Sequence, residues 1–96
     1  MSDQAIEKPF VTIYTESNPN PNSMKFVVNF MLLPEGQSAD FPDPLSASRS
    51  PLALDLFRYN FVKRVFIAAN FVTITKEEAM EWDDIIPMIK PFLKAY

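Results

Sequence analysis

Apolar and polar positions alternate along four stretches of the chain and recur at helical spacing along two others. In "FVTIYT", Phe10 to Thr15, Val11 and Ile13 fall on one face and Phe10, Thr12 and Tyr14 on the other; this run of β-branched and aromatic residues predicts a strand. Met24, Phe26, Val28 and Phe30 alternate with Lys25, Val27 and Asn29, the two-residue period of a half-buried strand. Two further strand-like runs, Val62 to Ala68 and Phe71 to Lys76, are separated by little more than Ala69-Asn70, which is hairpin spacing. Helical spacing begins after Ser50-Pro51, where Ser50 suits the N-cap and Pro51 the first helical position. Leu52, Ala53, Leu56 and Phe57 then share a face, and the helix is expected to end near Tyr59-Asn60 with Asn60 as a left-handed cap. Ile85, Ile86, Ile89, Phe92, Leu93 and Tyr96 recur at three- and four-residue steps and predict a second helix. Pro87 and Pro91 each lack a backbone donor, so this helix is expected to be kinked or to begin near Pro87.

The order ββαββα predicts a two-layer α+β domain, with an antiparallel sheet of about four strands and both helices on one face. "PEGQSADFPDP", residues 34–44, reads as a loop with a short extended piece at Ala39-Asp40-Phe41. Residues 1–8 are polar and expected to form a flexible tail, leaving 9–96 as the folded domain. Helices on one side leave the other side of the sheet to solvent. Arg64 and Phe66 share one face of their strand and Val65 and Ile67 the other, so an aromatic is expected to point outward there.

Composition narrows the chemistry. A chain of 96 residues holds one core, and nine phenylalanines, three tyrosines and a tryptophan give that core large apolar surfaces. There is no cysteine and no histidine, which removes thiolate nucleophiles, disulfides, imidazole acid–base catalysis and the usual zinc and iron-sulfur ligands from this chain. Ser23, Ser46, Ser48 and Ser50 have no histidine to act as base and no G-x-S-x-G elbow, so the reading is of a non-enzyme. The acidic run Glu77, Glu78, Glu81, Asp83, Asp84 lacks the alternation and central glycine of a calcium loop and suits the first turn of a helix instead. The net charge is −3 and the cations are scattered, which speaks against nucleic acid. No apolar run approaches the roughly 20 residues of a membrane span, and "MSDQAIEKP" lacks a basic and apolar leader, so no membrane contact and a cytoplasmic location are expected.

The stretch Asn18-Pro19-Asn20-Pro21-Asn22 remains. The prolines keep Asn18 and Asn20 out of the helical region, and Asn22-Ser23 can close a side-chain turn into the strand that follows. It also presents three carboxamides on a stiffened loop, and polar loops on rigid scaffolds are common recognition surfaces. Arg49, Arg58, Lys63 and Arg64 bracket the first helix and the strand after it; they form either an ordinary solvated surface or a basic rim for an acidic partner. The candidate interaction residues are Asn18, Asn20, Asn22, Lys25, Arg49 and Arg64.

"NPNPNSMKF", "DFPDP", "SRSPLALDLF", "VKRVFIAANFVTITKE" and "EWDDIIPMI", taken in order, resemble the N-terminal domain of Nfu/NifU-like iron-sulfur cluster scaffold proteins. The resemblance runs from about Val11 to Phe92, and Ala69-Asn70 stands where relatives often carry a glycine or aspartate turn. It implies a two-part protein whose C-terminal domain holds an iron-sulfur cluster between two subunits through a C-x-x-C motif. That motif is absent here, so no cofactor is expected on this chain. The implied role is recognition of iron-sulfur client or delivery proteins during maturation, by a domain expected to be monomeric on its own. A reading from another class stays open: a stand-alone small-ligand or regulatory module using the uncovered sheet face.

Overall fold

The structure, a computed structural model, describes residues 11–96. It forms an antiparallel sheet of five strands in the order β1-β2-β5-β4-β3, with two helices packed on one face. The strands are β1 (Ile13–Ser17), β2 (Ser23–Val28), β3 (Ala39–Phe41), β4 (Val62–Ile67) and β5 (Phe71–Lys76); the helices are α1 (Pro51–Leu56) and α2 (Trp82–Ala95). A 3-10 turn at Leu45–Arg49 leads into α1.

Both expected hairpins form. β1 pairs with β2, β4 pairs with β5 across Ala69-Asn70, and β2 and β5 join the two hairpins at the centre of the sheet. The expectation of four strands is corrected to five, and the order to βββαββα. Ala39–Phe41 pairs with β4 through Ala39↔Ile67 and Phe41↔Val65, which lets Phe41 bury its ring. Among the described residues β1 begins at Ile13 and runs on to Ser17, its register set by Ile13↔Val28 and Ser17↔Met24, while Phe10 of the expected run lies outside the described residues. The expected flexible tail, residues 1–8, lies outside the described residues.

One irregularity decides which way β4 presents its side chains. Val62 pairs with Lys76 and Arg64 with Thr75, so Lys63 is an extra residue, a β-bulge. Strict alternation would put Val62 and Val65 on opposite faces. The bulge puts both in the core and turns Lys63 and Arg64 outward.

The core joins Phe26, Val28, Val65, Ile67, Val72 and Ile74 of the sheet to Leu52, Ala53 and Leu56 of α1 and Ile85, Ile89 and Leu93 of α2. α1 starts as its sequence dictates: Ser50 is extended at the N-cap, and its Oγ accepts from the Ala53 N–H at 3.2 Å. Replacing Ser50 by alanine should cost about 1 kcal/mol, read as a fall of about 4–8 °C in Tm for a domain of this size. An unchanged Tm would mean that solvent satisfies the first turn equally well.

α1 ends at Leu56 with Phe57 as C-cap, so Asn60 is not its cap. Arg58 and Tyr59 donate instead to the Asp55 and Leu56 carbonyls in tighter turns. α2 begins at Trp82, five residues before Pro87, and contains both prolines. They sit four residues apart on the exposed side, where the donors they lack cost least, while Ile85, Ile89 and Leu93 form the buried row. Asp83 and Asp84 in the first turn and Lys94 in the last complement the helix dipole. The single glycine, Gly36, takes φ +85° at the third position of a turn closed by Gln37 N–H to the Pro34 carbonyl, a conformation that favours glycine.

Candidate functional site

The side of the sheet away from the helices is uncovered. Register places three rows across it. Tyr14, Val27 and Phe71 form the first; Glu16, Lys25, Thr73, Phe66 and Asp40 form the second; Ser23, Thr75 and Arg64 form the third. Val27 is buried yet stands outside the helix-side core, held between its neighbours on this face. Phe66 and Phe71 lie with ring centroids 6.1 Å apart, and Lys25 Nζ sits 4.1 Å from the centre of the Phe71 ring.

The charges on this face are paired at its edges. Lys25 faces Glu16 at 3.6 Å on the β1 side. On the β3 side, Arg64 Nε donates to Asp40 Oδ1 at 2.9 Å and a terminal guanidinium N–H donates to Asp40 Oδ2, a two-pronged contact. Between them runs a neutral belt of Thr73, Thr75, Val27 and the two phenylalanine rings. Exposed pairs of this kind add little stability, but they fix the rims and leave the centre cheap to desolvate.

The hydrogen bonds from Arg64, with a smaller contribution from its charge, hold the Asp40 carboxyl below its ordinary value, and the same contact raises Arg64. A depressed carboxyl stabilises the fold above its unfolded value of about 3.9 and loses that contribution as pH falls through the lower folded value. Carboxyl-carbon NMR should therefore find Asp40 titrating below about 3.9, and Arg64→Gln should move the midpoint up to it. An unmoved midpoint would remove the pair from the account of this face.

The asparagine–proline loop borders the same face at the third row. Asn20 N–H donates to Asn18 Oδ1 at 3.1 Å, Asn22 N–H donates to Asn20 Oδ1 at 2.9 Å, and Ser23 N–H closes onto the Asn20 carbonyl at 3.0 Å. Asn22 Oδ1 accepts from Lys76 Nζ at 3.2 Å. The Asn18 and Asn20 carboxamide oxygens thus shape the loop itself, and that of Asn22 ties it to β5. Two anchors tie it down: Trp82 Nε1 donates to the Pro21 carbonyl at 3.0 Å, and Lys76 N–H donates to the Asn22 carbonyl at 2.7 Å. Lys76 is buried, its ammonium also bonded to the Glu77 carbonyl and 5.8 Å from the centre of the Trp82 ring.

The six candidate residues therefore separate into three places. Lys25 and Arg64 lie on the uncovered face, Asn18, Asn20 and Asn22 form the loop at its end, and Arg49 lies on the other side of the sheet, its Cζ 5.7 Å from the Phe41 ring centre. Tyr14, Phe71, Thr73 and Thr75 join Lys25 and Arg64 on the face without belonging to the six interaction residues. The alternation of Phe71, Thr73 and Thr75 against Val72 and Ile74 was the signal for them. Two surface grooves, one at Arg49 and one between Val11–Ile13 and Lys90–Lys94, both lie on the helix side, so neither opens on the uncovered face. Among the described residues no three acidic side chains are placed to hold a metal ion, and no helix is long and apolar enough to cross a membrane.

A family model described as "Scaffold protein Nfu/NifU N terminal" matches residues 13–96. The chain belongs to the Nfu/NifU N-terminal family. The human protein named "NFU1 iron-sulfur cluster scaffold homolog, mitochondrial" is 46% identical over 81 residues, covering 83% of this chain and 32% of the human one. A protein of the same name from Drosophila erecta is 47% identical over 77 residues, covering 80% of this chain and 27% of its own. This Nfu-family chain thus spans about a third or less of the relatives it matches. Protein SAV1430 from Staphylococcus aureus, known from a crystal structure, superposes with a TM-score of 0.65 at 22% identity, over 78% of this chain and 89% of its own, which shows the fold.

Proposed function

We propose that this Nfu-family domain is the docking part of an iron-sulfur cluster scaffold or carrier, assisting iron-sulfur protein maturation without itself ligating the cluster. The observation that carries the reading is the uncovered sheet face, with its neutral threonine and phenylalanine centre and charges neutralised at both rims. Interfaces concentrate binding energy in such a desolvated centre inside a polar ring. The relatives are named as iron-sulfur cluster scaffolds, and a chain without cysteine has no thiolate to offer a cluster. Its contribution to such a scaffold is then recognition of client or delivery proteins. Lys25 and Arg64 frame the face, and Asn18, Asn20 and Asn22 extend it with a stiff polar loop. Nothing in this reading needs the domain to be more than a monomer, nor does it involve catalysis.

Thr73 sits at the middle of the central row, so Thr73→Arg places a long cation where the partner must close. Capture of iron-sulfur proteins from cells, quantified by mass spectrometry, should fall at least about tenfold, the scale of one disrupted hot spot. Glu78→Arg, exposed and off the face, should capture as wild type does. Equal capture by Thr73→Arg, or no iron-sulfur proteins captured by the wild type, would overturn the proposal. For the compartment, the expected cytoplasmic location stands against the mitochondrial one in the relatives' names; fractionation of cells expressing the tagged natural gene decides it.

A further inference from the structure

On the helix side, between the outer strand β3 and the start of α1, the surface falls into a groove of about 340 Å³. Phe41, Leu52 and Ile67 form its floor and Leu32 and Leu33 one wall, with Tyr96 at a rim. Phe41, Leu52 and Ile67 are buried, and the pairing of Ala39 with Ile67 and Phe41 with Val65 fixes the floor in place. The volume is near the lower end of ligand pockets, roughly 300–1,000 Å³, and suits one or two side chains.

Arg49 is the one charged residue in the lining. Its guanidinium is exposed and lies against the Phe41 ring. The four ion pairs among the described residues engage Lys25, Arg58, Lys63 and Arg64, so Arg49 has no carboxylate partner among them. A guanidinium is weakly hydrated and matches a carboxylate with two parallel donors. Tyr96 also lines the groove, and its hydroxyl is pushed up by burial first and then by the Asp55 carboxylate. With Arg49 the one charged side chain in the lining, a bound carboxylate belongs beside it.

β3 is also an end strand of the sheet, with one side unpaired, and its Ala39 and Phe41 line the groove. An extended segment can add hydrogen bonds along such an edge while its side chains fill the neighbouring pocket. A small apolar slot, a lone cation and an open strand edge together describe a peptide site.

We propose that this groove docks an extended segment of a protein partner, which seats an aliphatic side chain over Phe41 and, within one residue of it, a carboxylate on Arg49. The proposal stands apart from docking by the uncovered sheet face, which lies on the other side of the sheet.

The test is an NMR titration of the isotope-labelled chain with two probes that differ only in charge, acetyl-Leu-Glu-amide and acetyl-Leu-Gln-amide. Saturable shifts are expected at the amides of Leu33, Ala39 and Ile67, with the Glu peptide bound about tenfold tighter, the scale of a charge-assisted hydrogen bond. Arg49→Gln should level the two peptides, and Arg49→Lys should restore part of the difference. Equal affinities in the wild type, or no saturable shift at those amides, would overturn the proposal. Octanoate binding tighter than the peptide would assign the slot to free carboxylic acids instead. Concentration-dependent sedimentation abolished by Arg49→Gln would assign it to a second copy of the chain. Thr73→Arg should bind the Glu peptide as wild type does, so failure here leaves the sheet-face reading standing, and the reverse.

Discussion

Phe26→Ala is expected to lower the unfolding free energy by roughly 3–5 kcal/mol, the usual cost of emptying a buried aromatic site. Phe26 has no solvent exposure, faces the helices from β2, and stands in register with Thr15 on one side and Val72 on the other. Its ring centroid lies 6.2 Å from that of Trp82, so truncation removes a neighbour from α2 as well as from the sheet. Small domains hold only about 5–15 kcal/mol in total, so the variant should approach the edge of folding. A fall in Tm of roughly 12–40 °C follows from about 4–8 °C per kcal/mol at this size. Thermal and urea unfolding followed by circular dichroism measure it. A loss under about 1 kcal/mol would show that the cavity collapses almost completely, contrary to what a site braced by two strands and a helix should allow.

Trp82→Ala is the second large effect, expected at roughly 2–3 kcal/mol, below the full range for a core aromatic because Trp82 is only half-buried. Three contacts meet in this ring. Its N–H holds the Pro21 carbonyl, its face lies near the Lys76 ammonium, and the ring packs at a tilt against Phe26. Trp82→Phe keeps most of the apolar contact and loses the donor, so it should cost about 1 kcal/mol. Both variants should speed amide exchange at Asn22 and Ser23, the two residues that lead from the anchored Pro21 into β2. If exchange there is unaltered while stability falls, the ring acts only as core packing and does not hold the loop.

Much of the fold was readable because the signals were local. Ser50-Pro51 specified the start of α1 chemically, and the long alternations around Phe26 and Val72 specified strands whose faces could be assigned before pairing was known. β3 was harder to recognise as a full strand. Three residues between prolines and polar residues carry too little periodicity, and Ala39–Phe41 becomes a strand only because the edge of β4 offers partners. The bounds of β1 moved for the same reason: Glu16 and Ser17 have weak strand preference, but Glu16 lies opposite Lys25 and Ser17 opposite Met24. α2 began early because Pro87 and Pro91 fall on its exposed side, a fact of orientation that proline content alone does not convey.

The candidate site was legible in parts. Alternation in the sequence turns Arg64 and Phe66 outward together, but the row that joins Phe66 to Lys25 passes through Thr73, a residue with no distinctive chemistry. The asparagines stand out in the sequence for their side chains, but the oxygens of Asn18 and Asn20 are spent on the turn and that of Asn22 on Lys76. Arg49 was grouped with Arg64 by proximity in sequence, whereas the two lie on opposite sides of the sheet.

The central position of β5 also governs when this domain can fold. The hydroxyls of Ser23 and Thr75 meet at 2.8 Å although they are 52 positions apart, and both hairpins depend on the strand made last. During synthesis, β1 and β2 must wait with an open inner edge until Phe71–Lys76 has left the ribosome, and an apolar strand with an unpaired edge invites pairing with other chains. Closing so long a loop makes the β2–β5 seam the slow step expected of non-local sheets. Conditions that stall translation between Val28 and Phe71 are therefore where this small domain is most exposed to aggregation.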